Sequence, residues 1–252
     1  MSRIHDLLTA AHGRCRLVFS SAASITLQRY QGSILSIGGL PRQIPAAGVS
    51  ASNTGLAAST IYYVYALWSG SAITLELSTT GHAANADTGV EVKSGDTSRT
   101  LVGMVRTNAS SQFEDASAAR GVLSYFNRRE IAGLTATLTN TTSSTASLAE
   151  LGVAVDRVQF LAWPDELTEV MIVGSATNTT AGNIQHSTSA GVDAAALGAQ
   201  STATTFTNGV PVAVSARYMA ALSEGSHTAS AFGKVSAGTG SWNYGVQVTL
   251  RG

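Results

Sequence analysis

Charge is scarce in this chain. Only 12% of the 252 residues are Asp, Glu, Lys or Arg, about half the usual share of a soluble domain. The 15 basic and 15 acidic side chains cancel. No basic run is longer than Arg128-Arg129, so the electrostatic footprint of a nucleic-acid-binding surface is missing. Cysteine is limited to Cys15, which excludes an intrachain disulfide and a Cys-based zinc site. The five histidines (His5, His12, His82, His186 and His227) fit no zinc-ligand spacing. Asp87 and Asp96 are isolated, so an Asp-rich calcium loop is also missing. No apolar run reaches the length of a membrane span. The opening residues Met1 to Asp6 are not followed by the apolar core of a signal peptide. The sequence therefore gives no reason to expect a metal, a cofactor, a nucleic-acid partner or membrane insertion.

Small residues take the place of charge. Ala, Ser, Thr and Gly make up roughly half the chain, well above ordinary usage. Each buries little apolar area, so stability is expected to come from close packing and from association of copies. Few charges and many small side chains suit surfaces covered by neighbouring subunits.

The apolar pattern is almost entirely β. One exception stands at the start: Ile4, Leu7, Leu8 and Ala11 keep helical spacing, with Ser2 as N-cap and Gly13 as stop. A helix of about three turns is marginal alone and needs a partner surface. It reads either as folded back on its own domain or as an anchoring arm; residues 1–14 are taken as a docking segment with Ile4, Leu7 and Leu8 as its contact face. Alternating strands follow at Arg16 to Phe19, Ile25 to Gln28 and Ser33 to Ile37, with an edge strand at Leu40 to Ile44 confined by Pro41 and Pro45. Ile61 to Trp68 is apolar or aromatic on both faces and is expected to be covered on both. Short strands with Gly and Ser turns predict a β-sandwich or small barrel over residues 15–129. After the charge cluster Arg128, Arg129 and Glu130, a second β domain spans 130–252. Its candidate strands include Val158 to Trp163, Glu169 to Gly174, Gly182 to His186, Val210 to Ala221, Thr228 to Val235 and Tyr244 to Leu250.

Ile44-Pro45-Ala46-Ala47-Gly48-Val49, Thr60 to Tyr65, Leu77-Ser78-Thr79-Thr80-Gly81-His82, Thr88 to Asp96, Arg99 to Met104 and Ser124 to Arg128 occur in that order. Together they resemble a module of tail-fibre and related virion proteins of tailed bacteriophages. More weakly, Gly225-Ser226-His227-Thr228, Lys234 to Gly240 and the strand Val246 to Leu250 resemble trimeric jelly rolls of the C1q or TNF type. The resemblance implies an all-β homotrimer that is assembled in the bacterial host cytoplasm and kept in the virion.

Catalytic constellations are missing. Gly238-Thr239-Gly240 has no following helix and is no phosphate cradle. Glu114 with Asp115, and Asp165 with Glu166, are adjacent loop carboxylates, which read as solvated turns rather than as a glycosidase pair. The run Tyr62, Tyr63, Tyr65 and Trp68 reads as core or subunit surface, because alternate residues face opposite ways. Gly238 to Asn243 reads as a tight loop. Trp242, Asn243 and Tyr244 beside it are the candidate receptor contact, with aromatic rings suited to a host cell-surface glycan; capping of a trimer core is the other reading. The chain is thus expected to be a non-enzymatic subunit of a trimeric tail fibre or spike that binds tail proteins. A head fibre or capsid decoration protein and a carbohydrate-binding lectin-like module are the alternatives.

Overall fold

The computed structural model describes residues 12–135, 139–180 and 182–252. The docking helix expected around Ile4, Leu7 and Leu8 lies outside the described residues. The described chain is all-β, with a single 3-10 turn at Ala154–Asp156. It forms two compact units: residues 12–115 with 121–129 and Gly252, and residues 116–120 with 130–251. The chain passes from one unit to the other between residues 129 and 130, and a short segment at 116–120 also belongs to the second unit.

The first unit contains β1 (Cys15–Ser21), β2 (Ser24–Arg29), β3 (Ile34–Ile37), β4 (Leu40–Gln43), β5 (Val49–Ser52), β6 (Ile61–Trp68), β7 (Ile73–Ser78), β8 (His82–Ala84), β9 (Glu91–Lys93) and β10 (Asp96–Arg106). Further along lie β11 (Asp115–Ala116), β12 (Ala119–Arg120) and β13 (Val122–Ser124). One sheet runs β1-β2-β5, and a larger one runs β7-β6-β10-β9-β8 with β13 also on β10. Leu17, Ile25, Leu27, Val64, Ala66, Val102 and Val105 close a common core. Both faces of β6 are covered, as its sequence predicts: Val64 and Ala66 point into that core, and Tyr65, on the opposite face, is also fully buried. The Tyr65 hydroxyl donates to the Thr80 carbonyl at 2.8 Å. The larger sheet curls until Lys93 on β9 meets Glu76 on β7 at 2.5 Å. Gly103, at a break in the β10–β6 register, shows why glycine is needed: a Cβ there would lie 2.5 Å from the Leu123 carbonyl and 2.5 Å from the Leu17 side chain. His12 and Gly13 belong to this unit. The Ser36 amide donates to His12 Nδ1 at 3.0 Å, and the His12 ring meets Phe126 edge-on at 4.9 Å.

The second unit contains β14 (Glu130–Leu134), β15 (Thr139–Ser143), β16 (Ala149–Glu150), β17 (Val158–Ala162), β18 (Leu167–Asn178), β19 (Ile184–Val192), β20 (Ala195–Ala196), β21 (Ser201–Thr205), β22 (Val212–Ala221), β23 (Gly225–Val235) and β24 (Gly240–Arg251). It is a two-sheet sandwich of jelly-roll character. One sheet runs β14-β24-β18-β22 with β15 also on β24, and the other is built on β12-β17-β23-β19. Even-numbered residues of β18 and β24 point inward: Val170, Ile172, Val246 and Val248 are fully buried. The Thr/Ser-rich stretch after Leu134 contains β15, which pairs with β24 from Thr139 to Ser143; Thr supports such pairing through its branched side chain.

Candidate functional site

Trp242 and Tyr244 do not stand in an exposed loop. β24 begins at Gly240, so both lie inside a strand, with Trp242 at 0% and Tyr244 at 1% exposure. The Trp242 indole N–H donates to Thr188 Oγ1 on the opposite sheet at 3.2 Å, and its ring meets His186 edge-on at 5.3 Å. The Tyr244 hydroxyl donates to the Leu151 carbonyl at 2.8 Å. Of the three expected contact residues only Asn243 faces outward. The physical reason is legible in the sequence: Trp242, Tyr244, Val246, Val248 and Leu250 keep one unbroken alternation, and the inward face continues through the Gly-rich start of the strand. The glycine run marks only the turn before it.

The loop end near Gly238 nevertheless exposes apolar side chains. The Thr179 amide donates to the Thr239 carbonyl at 3.1 Å, and the Gly209 amide to the Asn178 carbonyl at 3.1 Å. These bonds gather three connections, β18–β19, β21–β22 and β23–β24, at one end of the sandwich. Phe206 is 70% exposed there and Val210 is 52% exposed. Residues 178–183, 206–211 and 236–241 contain no charged side chain. Thr, Asn, Ser and Gly surround Phe206 in the chain, a composition that offers hydrogen bonds and one ring face but no ionic attraction. Phe206 is thus the exposed aromatic that sequence reasoning assigned to Trp242. Its signal was the turn Thr207-Asn208-Gly209 directly after a strand.

Carboxylates gather at the opposite end. Glu130, Asp165, Glu166 and Arg251 rim an open cleft of about 390 Å³. Nearby, His227 Nδ1 lies 2.7 Å from Asp193 Oδ2, and His227 Nε2 lies 2.8 Å from the Ser223 carbonyl. The Asp193 carboxylate also accepts from the Thr228 amide at 2.9 Å, which makes the arrangement a clamp between two turns. His82 is tied in a similar way, 2.6 Å from Glu91 Oε2 and edge-on to Tyr63 at 5.5 Å. His186 is fully buried, and its Nδ1 has no hydrogen-bond partner among the described residues. Burial lowers its pKa below the ordinary histidine value, so the ring is held neutral.

The remaining candidates serve structure. Among the described residues no group of three His, Cys, Asp or Glu is placed to hold a metal ion. Tyr62 is buried in the core, Trp68 packs under the Arg42 guanidinium at 4.1 Å, and Tyr63 rests on His82, so the aromatic run forms no continuous platform. Cys15 is buried, and burial pushes its thiol pKa up to about 12; at that value almost no reactive thiolate exists near neutral pH. No helix among the described residues is long and apolar enough to cross a membrane. No family model and no curated protein matches the chain.

Proposed function

We propose that this chain is a structural virion protein of a tailed bacteriophage, a non-enzymatic subunit of a homotrimeric tail fibre or spike. Its N-terminal segment attaches to the tail, and its C-terminal unit carries the surface presented to the host. The observation that supports this reading best is the loop end with Phe206 and Val210 exposed and no charged side chain in its three connections, in a unit that gathers Glu130, Asp165 and Glu166 at the other end. Such a pole suits contact with a neutral glycan better than with an anionic one. Loops are also where binding residues vary without disturbing a packed scaffold. The fibre-like module from Ile44 to Arg129 and the small-residue composition agree with the same reading.

The alternative of a head fibre or capsid decoration protein rests on the same module, because such modules are shared among virion parts. Mass spectrometry and a density map of purified particles separate the two. Density for this chain at the tail supports the fibre reading, and density on the capsid lattice replaces it with decoration. Absence from particles overturns both and leaves the lectin-like reading.

A further inference from the structure

The two sheets of the C-terminal unit have unequal outer faces. The outer face of the β19–β23 sheet is closed by its own chain: Ser189 and Phe232 are buried there, and the Ser189 hydroxyl donates to the Gly198 carbonyl at 2.8 Å. The outer face of the β14-β24-β18-β22 sheet is open. Leu134 is 48% exposed, Val173 50% and Met219 50%, and Met171 is half-buried between them. Leu134 and Met171 both pair with Gln247 across β24, so these side chains share one surface.

We infer that this face packs against a second copy of the same chain and forms the contact that holds the oligomer together. The inference rests on the homotrimeric reading above and assigns its interface. Charge is the first argument. Among the described residues between the Ala132 and Thr142 ends of the face, the charged side chains are Glu169 and Arg217, which already form an ion pair within the chain. In a closed three-fold ring this face meets a different surface of the next copy, and it offers that surface no uncompensated charge, the usual barrier to association of a surface patch. Shape is the second. The other outward positions are mostly Ala, Ser, Thr, Gly, Asn and Gln, so the surface is flat and backbones can approach to about the 10 Å spacing of stacked sheets. Area is the third. Strand spacing and rise give about 33 Å² of sheet per outward residue, and four strands then offer on the order of 500 Å². That is roughly two-thirds of one partner's share in a standard interface, before rim residues are added. A foreign partner of strong charge would find nothing here to pair with.

The test is the mass of the full chain in solution by light scattering. Val173→Asp places a charge at a half-exposed position, and Ser215→Arg does so at an exposed polar one, so neither burdens the fold of a single chain. Phe206→Asp, on the loop end, is the control. The expected result is a trimer for wild type and the control, with both face variants shifted to monomer at micromolar concentration and unchanged circular dichroism. Should Val173→Asp lose its circular dichroism, Ser215→Arg alone decides. A trimer that survives a folded face variant overturns this assignment and leaves the trimeric reading intact. A monomeric wild type overturns the trimeric reading and this inference with it. A wild-type dimer split by the face variants supports the face and corrects the number of copies.

Discussion

Trp242→Ala is the sharpest test of where the sandwich core lies. The indole is fully buried between the sheets, donates to Thr188 Oγ1 at 3.2 Å and packs its ring on His186. Removing a buried Trp side chain costs about 3–5 kcal/mol through lost transfer energy and the cavity left behind. The Thr188 hydroxyl loses its donor, which adds about 1 kcal/mol. A domain of this size has about 5–15 kcal/mol in total, so the variant should sit near the edge of folding. At about 4 °C per kcal/mol, the transition of the C-terminal unit should fall by about 20 °C. Calorimetry of the full chain is the suitable assay, because it resolves the two units if they melt separately. Trp242→Phe should retain most of the stability, with a loss of about 1–2 kcal/mol from the missing N–H and the smaller ring. A fall of less than about 3 °C for Trp242→Ala would refute the inward placement.

Three further outcomes follow from the same geometry. Phe206→Ala should leave stability within about 0.5 kcal/mol, because the ring is 70% exposed, yet it should reduce adsorption to host cells; unchanged adsorption removes the loop end as the contact surface. His12 and His186 both have pKa values lowered by burial. The unfolded chain therefore binds protons first, and stability is full above the ordinary histidine value of 6.5 and is lost as pH falls below it. Urea midpoints should drop between about pH 7.5 and about pH 5, and His186→Gln should flatten that slope; an unchanged slope means the ring is not held neutral. Cys15 should react with a thiol reagent only as the chain unfolds, and rapid labelling of the native protein would contradict its burial and its raised pKa.

A truncation aimed at the N-terminal segment should end at Ala11. His12 accepts the Ser36 amide, and the Gly13 carbonyl accepts Asn127 Nδ2 at 2.7 Å. A longer cut would injure the first unit and confuse loss of attachment with loss of fold.

The sequence by itself determined the all-β class and most strands. These depend on local signals: period-two alternation and Gly and Ser turns. It also carried the burial of Trp242 in the alternation that runs to Leu250, although the neighbouring glycines argued for a loop. Only the tertiary structure decided which side chains the alternation hides and which it exposes. Phe206 and Phe160 are alike as sequence letters, yet Phe206 is 70% exposed and Phe160 is fully buried. The difference lies in what the opposite sheet and neighbouring loops place over each ring. The same holds for the face bearing Val173 and Met219. Alternation says that these residues share the outer side of their strands, but strand order alone shows that β14, β24, β18 and β22 lie side by side and make that side one open surface. Pairing between residues about 40 to 120 apart in the chain sets that order, and no local periodicity encodes it.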